Sequence, residues 1–363
     1  MVKTLDTLLF LLVSIPLTAP AGSEDATRSL LNLGQLKKPH IPIARQWPAD
    51  PNSAVVCLWP GGKTAAFSVT IDDNWRPDHA KWLALSKKYG WYWTWFVITG
   101  KVGTNVNFNG DWAHWQAMID AGQDVQSHSF SHRSRKLNLP AREDYEKGLA
   151  LLRNNLKNQR FCTLAYPGGG LPNDIQAGAQ LHIGCRGTRG VLNPANRINY
   201  ANTNSLSGLK SFGKPESHWA SFAGMLNPKN RRKYRAWMCV HFHGLKGQEK
   251  LVEEAFSTIK KHEDEIWVGK FREVMMYGQE RDTAEVTVSS QNGEYQITLR
   301  DRMDDRFFDF PLTIKWRLPQ GWEQVKAVQN GVERPVTVIT HDNNRYALID
   351  IVPDRGVTHL QKR

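Results

Sequence analysis

From residue 65 onward, short runs dominated by apolar residues alternate with longer stretches in which apolar side chains return every three or four positions. Residues 65–71, 91–99, 125–127, 161–166, 181–186, 237–242 and 265–268 read as strands. Between them, residues 77–89, 112–121, 144–158 and 250–262 carry the helical period. Ala80, Leu83 and Leu85 are expected to face inward on the first of these helices, and Leu149, Leu151 and Leu152 on the third. Apolar strands separated by helices of this length predict parallel βαβ units, hence an α/β barrel or sheet. Trp91, Trp93 and Trp95 alternate along one strand face, which predicts a place in the core.

The texture changes after Tyr277. Residues 285–289, 295–299, 312–318 and 347–351 alternate apolar and polar side chains, with turn signals at Gln291-Asn292-Gly293, Pro319-Gln320-Gly321 and Asn330-Gly331. A small antiparallel, sandwich-like β domain is therefore expected over residues 282–363. At the other end, a basic start, an apolar segment at residues 8–17 and Ala19-Pro20-Ala21 predict a signal peptide over residues 1–21, cleaved before Gly22. That segment is too short to span a membrane, and no later run approaches 18 apolar residues. The expectation is a secreted or periplasmic protein, with an irregular, proline-punctuated arm at residues 22–60 and the main barrel at 61–281.

With 363 residues, 40% of them hydrophobic, the chain can bury a substantial core. Its formal net charge of +12 favours anionic polymers as partners. Nucleic acid is not expected, because zinc-finger spacing, an RNA-binding signature and a long basic helix are all missing. Cys57, Cys162, Cys185 and Cys239 lack C-x-x-C spacing, which argues against a structural zinc or redox motif. Export permits disulfides among them, and four buried thiols are the equal alternative.

Two stretches carry the chemistry. The run at residues 65–71 stops on the adjacent carboxylates Asp72 and Asp73, and Ser127 leads into His128 and His132. Each follows a strand-like run, and in a parallel α/β fold such strand ends gather on one face. Two imidazoles and one carboxylate suit a divalent metal while leaving positions open, and the other carboxylate can then take a proton from water.

Thr70-Ile71-Asp72-Asp73 and His128-Ser129-Phe130-Ser131-His132 resemble the first two motifs of the polysaccharide deacetylases of carbohydrate esterase family 4. The resemblance implies an irregular barrel of about seven strands, an α/β fold of the (β/α)7 type. It also implies a metal, usually zinc, on Asp73, His128 and His132, with Asp72 as the general base. Leu164-Ala165-Tyr166-Pro167-Gly168-Gly169-Gly170 is similar to the third motif and makes Gly168 N–H the candidate oxyanion donor. The arginine of that motif, which orients the catalytic aspartate, is Ala165 here; Arg186 or Arg189 could replace it. The stretch 237–244 is similar to the fifth motif, whose histidine protonates the leaving group. His243, at the strand's end, is preferred for that role, and His241 is the alternative. Trp75, Tyr166 and Arg186 complete the candidate substrate contacts. His79, His114, His182 and His218 lack motif context and are read as ordinary packed or surface residues.

The expected activity is removal of N- or O-acetyl groups from a carbohydrate. An N-acetylglucosamine polymer would make the protein an N-deacetylase, an acetylated plant or algal glycan an O-deacetylase. A carbohydrate-binding barrel without turnover and an envelope-attached scaffold are the alternatives. Metal content and acetate release separate the three.

Overall fold

The apolar runs become the staves of a parallel barrel. The computed structural model describes residues 41–132, 139–213 and 215–363. The expected signal peptide and the arm up to residue 40 lie outside the described residues, as does the side chain of His218.

After a short strand β1 (Ala54–Val56), β2 (Ala65–Asp72) is buried at every position and forms the centre of the sheet. β3 (Thr94–Val97), β4 (Asp124–Ser127), β5 (Thr163–Ala165) and β6 (Gly184–Arg186) follow in parallel on one side. β7 (Leu206–Ser207) and β8 (Trp237–Phe242) lie on the other, giving the order β6-β5-β4-β3-β2-β8-β7, and β9 (Ile266–Val268) pairs with the start of β2. The segment entering β7 closes the ring: Thr203 bridges Arg186, Cys185 N–H donates to Tyr200 O (2.8 Å), and Gly187 N–H donates to Thr203 O (2.8 Å). This is the expected irregular seven-strand barrel. Because the strands are parallel, Asp72, Ser127, Ala165 and Phe242 all end at the same rim.

Helix His79–Tyr89 turns Trp82, Ser86 and Tyr89 inward instead of the expected face. Ala80 is exposed, and Leu83 and Leu85 pack at the core's margin. Trp82 decides the rotation: its indole packs against Trp93, Trp95 and Phe242, and its carbonyl accepts from Trp93 Nε1 (3.0 Å). In helix Ala141–Asn155, Leu149 and Leu152 are buried as expected, together with Tyr145 and Gly148, whereas Leu151 is only half-buried. Trp91, Trp93 and Trp95 are core residues, and all four cysteines are buried free thiols.

The C-terminal region is a sandwich of two antiparallel sheets. Its strands are β10 (Glu285–Gln291), β11 (Glu294–Arg300), β12 (Leu312–Arg317), β13 (Val325–Gln329), β14 (Val332–Arg334), β15 (Val336–His341), β16 (Asn344–Ile351) and β17 (Thr358–Lys362). One sheet has the order β10-β11-β17-β13-β14, and the other β1-β12-β16-β15, so the arm contributes an edge strand. One apolar cluster joins Trp59, Trp237, Phe271 and Tyr277 to Ile314, Trp316 and Ile349 across the seam between barrel and sandwich. Helix Phe271–Thr283 lies along that seam, with every residue from Val274 to Asp282 buried. The expected boundary at residue 282 thus falls at the end of a helix shared by both parts.

Candidate active site

Asp72 is the last residue of β2, and the chain leaves it through Asp73 and Asn74, both in the left-handed region (φ 67° and 54°). Such a pair of non-glycine residues is uncommon, although Asp and Asn enter that region more readily than most. Buried Asn74 secures the turn to the neighbouring strand end: its Oδ1 accepts from Ile98 N–H (2.6 Å) and its Nδ2 donates to Ile98 O (3.0 Å). The turn projects Asp73 into the mouth of the barrel. The loop after β4 is fixed in the same way, with Ser129 and His132 at φ 67° and 64°. Within it, His132 N–H donates to Ser129 Oγ (2.9 Å) and Ser131 N–H to buried Asp144 Oδ1 (2.9 Å).

These turns bring Asp73 Oδ1 to 3.2 Å from His132 Nε2 and 3.5 Å from His128 Nε2. The ligand atoms of the three side chains all lie within 4.8 Å of one another. His128 Nδ1 is 2.7 Å from Ala165 O, which can only accept, so Nδ1 carries the proton and Nε2 is left to face Asp73. Asp73 Oδ1 is buried, and no well-formed hydrogen bond reaches it among the described residues. Burial raises the Asp73 carboxyl, but His128, His132 and His243 outweigh it and hold the group well below the usual carboxylate range. An ionised carboxylate oxygen and two imidazoles converging on one point fit a divalent cation.

Beside this cluster, Asp72 is buried and paired with the guanidinium of Arg186, itself fully buried at the end of β6. Burial raises the Asp72 carboxyl, while Arg186 and then His128, His241 and His243 bring it below its ordinary value. Arg186 is oriented in turn by Ser205, whose Oγ lies 3.0 Å from Arg186 Nη1 and 2.8 Å from His241 Nδ1. Since the Ser205 hydroxyl donates to Gly187 O (2.7 Å), it accepts from the other two, which places the His241 proton on Nδ1. Burial and Arg186 push His241 down to about 3. His243 differs sharply. Its side chain is 42% exposed, with Nε2 4.0 Å from Asp72 Oδ2 and 3.7 Å from Asp73 Oδ2.

Residues 61–183 match the family model described as polysaccharide deacetylase, and they contain Asp72, Asp73, His128, His132 and Gly168. This stretch is similar to the polysaccharide deacetylases. A gellan lyase from a Bacillus species is 34% identical over 337 residues, which is 85% of this chain and 13% of the relative. Among solved structures, the Streptococcus pyogenes deacetylase PplD in complex with acetate is 22% identical with a TM-score of 0.35, covering 38% of this chain and 62% of that one. The Xyl-CE4 domain of a multidomain xylanase from the hindgut metagenome of Trinervitermes trinervoides is 15% identical with a TM-score of 0.38, covering 58% and 89%.

Two of the expected substrate contacts are corrected. Tyr166 is buried, with its hydroxyl directed at Ala201 O (2.8 Å) and Ile175 O (3.2 Å), so no surface of it faces the mouth. Arg186 is sealed beneath Asp72, where it takes the position left open by Ala165; Arg189 is exposed on the following loop. Trp75 does stand at the rim, half-buried against Gly244. A Cβ on Gly244 (φ 99°) would fall 2.3 Å from the indole, so this approach requires glycine. Gly168 lies on an exposed turn (φ 65°) three residues beyond Ala165, whose carbonyl holds His128. His79 packs on Trp95 and Trp115, His114 caps a helix with Asp111, and His182 is buried. Asn74, Ser205 and Asp144 were not anticipated. Of these, only the Asn directly after the carboxylate pair carried a local signal, as a residue suited to a left-handed turn.

Proposed function

We propose that this protein is an exported, metal-dependent polysaccharide deacetylase that releases acetate from an acetylated carbohydrate. The observation that carries the proposal is the convergence of Asp73, His128 and His132 beside an ionised, arginine-paired Asp72 and an accessible His243. A divalent ion on the first three, zinc being the family's usual metal, would acidify a water and polarise an acetyl carbonyl. Asp72 then accepts the proton of the attacking water, held ready by Arg186, which keeps the carboxylate charged and fixed. Gly168 N–H donates to the developing oxyanion. His243 protonates the departing amine or alkoxide, whereas His241 is too buried to exchange protons with the mouth and instead holds Ser205. Trp75 offers an indole edge for a sugar ring. Export is supported by the apolar segment at 8–17 and Ala19-Pro20-Ala21.

The reading as a barrel without turnover drew on Ala165 standing where the motif carries arginine. Arg186 meets Asp72 from a different strand, which removes that support. The test is acetate release from a panel of N- and O-acetylated glycans, with and without chelator. Acetate that appears with metal and disappears on chelation supports the proposal; metal-loaded protein that releases none from any member rejects it.

A further inference from the structure

Away from the mouth, the arm, the barrel and the sandwich line a partly open pocket of about 50 Å³. That exceeds the roughly 10–15 Å³ needed to admit one water. Three cations line it: Arg45 from the arm, Arg235 just before β8, and Lys315 on β12. Arg235 and Lys315 are only 4% and 6% exposed. Buried charges are normally paired, yet none of these three forms an ion pair among the described residues.

Their known contacts are to neutral groups. Arg235 donates to Ile43 O (3.1 Å) and more weakly to Thr64 O and Lys63 O (3.4 and 3.5 Å). Lys315 donates to Gln46 O (2.9 Å) and sits 3.6 Å from the Trp47 ring centroid. Arg45 donates to Thr64 Oγ1 (2.5 Å). Asp350, on the neighbouring strand, accepts from Thr313 Oγ1 (2.5 Å). The remaining acidic group on the wall, the Cys57 thiol, is pushed up to about 11 by burial and stays uncharged at neutral pH. The cations depress one another: burial and then Arg45 lower Arg235 to about 10, and burial lowers Lys315 to about 8. Three positive groups from three parts of the fold therefore face one small volume without a counter-charge among the described residues.

We propose that this pocket binds a small inorganic oxyanion of phosphate or sulfate size, held by Arg45, Arg235 and Lys315. The bound anion neutralises the cluster and ties the arm and the sandwich to the barrel. Its effect is therefore on stability, and it stands apart from the deacetylase reading.

The test is thermal unfolding of the intact protein in low-salt buffer, titrated with inorganic phosphate and, separately, with sodium chloride at matched ionic strength. A ligand specific to the folded state raises Tm with its concentration, by about 3 to 4 °C at a hundredfold excess over Kd. Phosphate is expected to give that rise and chloride a much smaller one. Lys315→Met, which keeps a stem over Trp47, should abolish the phosphate effect, and Arg45→Ala, at an exposed position, should weaken it several-fold. Equal responses to the two salts, or an undiminished phosphate response in both variants, would overturn the proposal. If Lys315→Met does not fold, Arg45→Ala and equilibrium dialysis with labelled phosphate decide: about one saturable site per chain is expected, and no saturable binding rejects the site.

Discussion

The rim of the barrel and the seam beneath the sandwich both bury charge, but they use it differently. At the rim the buried polar groups have partners that set their protonation: Arg186 keeps Asp72 ionised, and Ser205 fixes the tautomer of neutral His241. The side chains that remain accessible there, Asp73, His132 and His243, are the ones proposed to meet metal and substrate. At the seam, Glu280, Arg281 and Asp282 are buried among Trp59, Tyr277 and Ile314, and their contacts tie the shared helix to the arm, the barrel and the segment before β12 instead of facing an opening. Arg281, for example, donates to Leu58 O (2.8 Å), Ala195 O (2.7 Å) and Asp282 Oδ1 (2.6 Å). Buried polarity at the rim tunes reactivity; at the seam it fixes how two halves of one core meet.

The largest test of that contrast removes the sandwich. A chain ended at Gln279 would bare Tyr277, Trp59 and Trp237 on the barrel side of the shared cluster, so it is expected to lose cooperative unfolding in calorimetry. A truncate that melts cooperatively near the Tm of the intact protein would show that the barrel stands alone and the seam is dispensable.

At the rim, substitutions should change chemistry and leave the fold in place. Asp72→Asn is expected to retain metal while turnover falls on the order of 100- to 10,000-fold, the usual range for loss of a general base. Near-normal turnover would remove Asp72 from that role. Asp73→Asn should instead lower metal affinity, because an amide oxygen is a poorer ligand than a carboxylate, with activity partly restored by excess zinc. In His128→Ala, metal analysis should find most of the roughly one ion per chain gone. Stoichiometric metal in a His128→Ala, His132→Ala double variant would refute the ligand set.

The two histidines of β8 and its end sharpen the same contrast at smaller scale. His243→Ala should keep metal and stability, and lose more turnover on an amide than on an activated ester, whose leaving group hardly needs a proton. His241→Ala removes a buried partner of Ser205 and should lower Tm as well. If His241→Ala shows the substrate-dependent loss and His243→Ala does not, their roles must be exchanged.

Much of the rim was legible because it is local. An apolar run ending on Asp72-Asp73, and a strand leading into His128 and His132, announce themselves within a few residues. The partner of Asp72 was narrowed to Arg186 or Arg189 and separated only by register: Arg186 is the last residue of β6, paired with Ala165, while Arg189 lies three residues beyond. Tyr166 was misread because adjacency to a motif says nothing about side-chain direction, and here the ring turns into a small core with Tyr145 and Ala177. The seam was the least legible part. Helix Phe271–Thr283 is buried on all sides, so its Gln279-Glu280-Arg281-Asp282 run reads in sequence as a solvated face. Strands β13, β14, β15 and β17 likewise carry short or mixed patterns that acquire meaning only through their partners.

A final test lies at Glu280 and distinguishes the seam from the rim by pH. Its Oε1 accepts from Phe310 N–H (3.0 Å), whereas its buried Oε2 has no partner. Burial, reinforced by Asp301, Asp309 and Asp305, raises its pKa from 4.5 to about 9. In the folded protein at neutral pH Glu280 therefore keeps a proton that the unfolded chain gives up. Where the unfolded state binds fewer protons, stability falls as pH rises. The contribution of Glu280 is thus fully present below pH 4.5 and is lost progressively up to about pH 9. Glu280→Gln preserves the shape and the acceptor for Phe310 but cannot ionise, so its denaturation midpoint should decline less between pH 5 and 9 than that of the parent. The two proteins should differ least at the acid end and most at the alkaline end, while the pH dependence of turnover, set at the rim, should be the same in both. Parallel midpoint curves across that range would mean that Glu280 is ionised at the seam, with a counter-charge supplied from elsewhere.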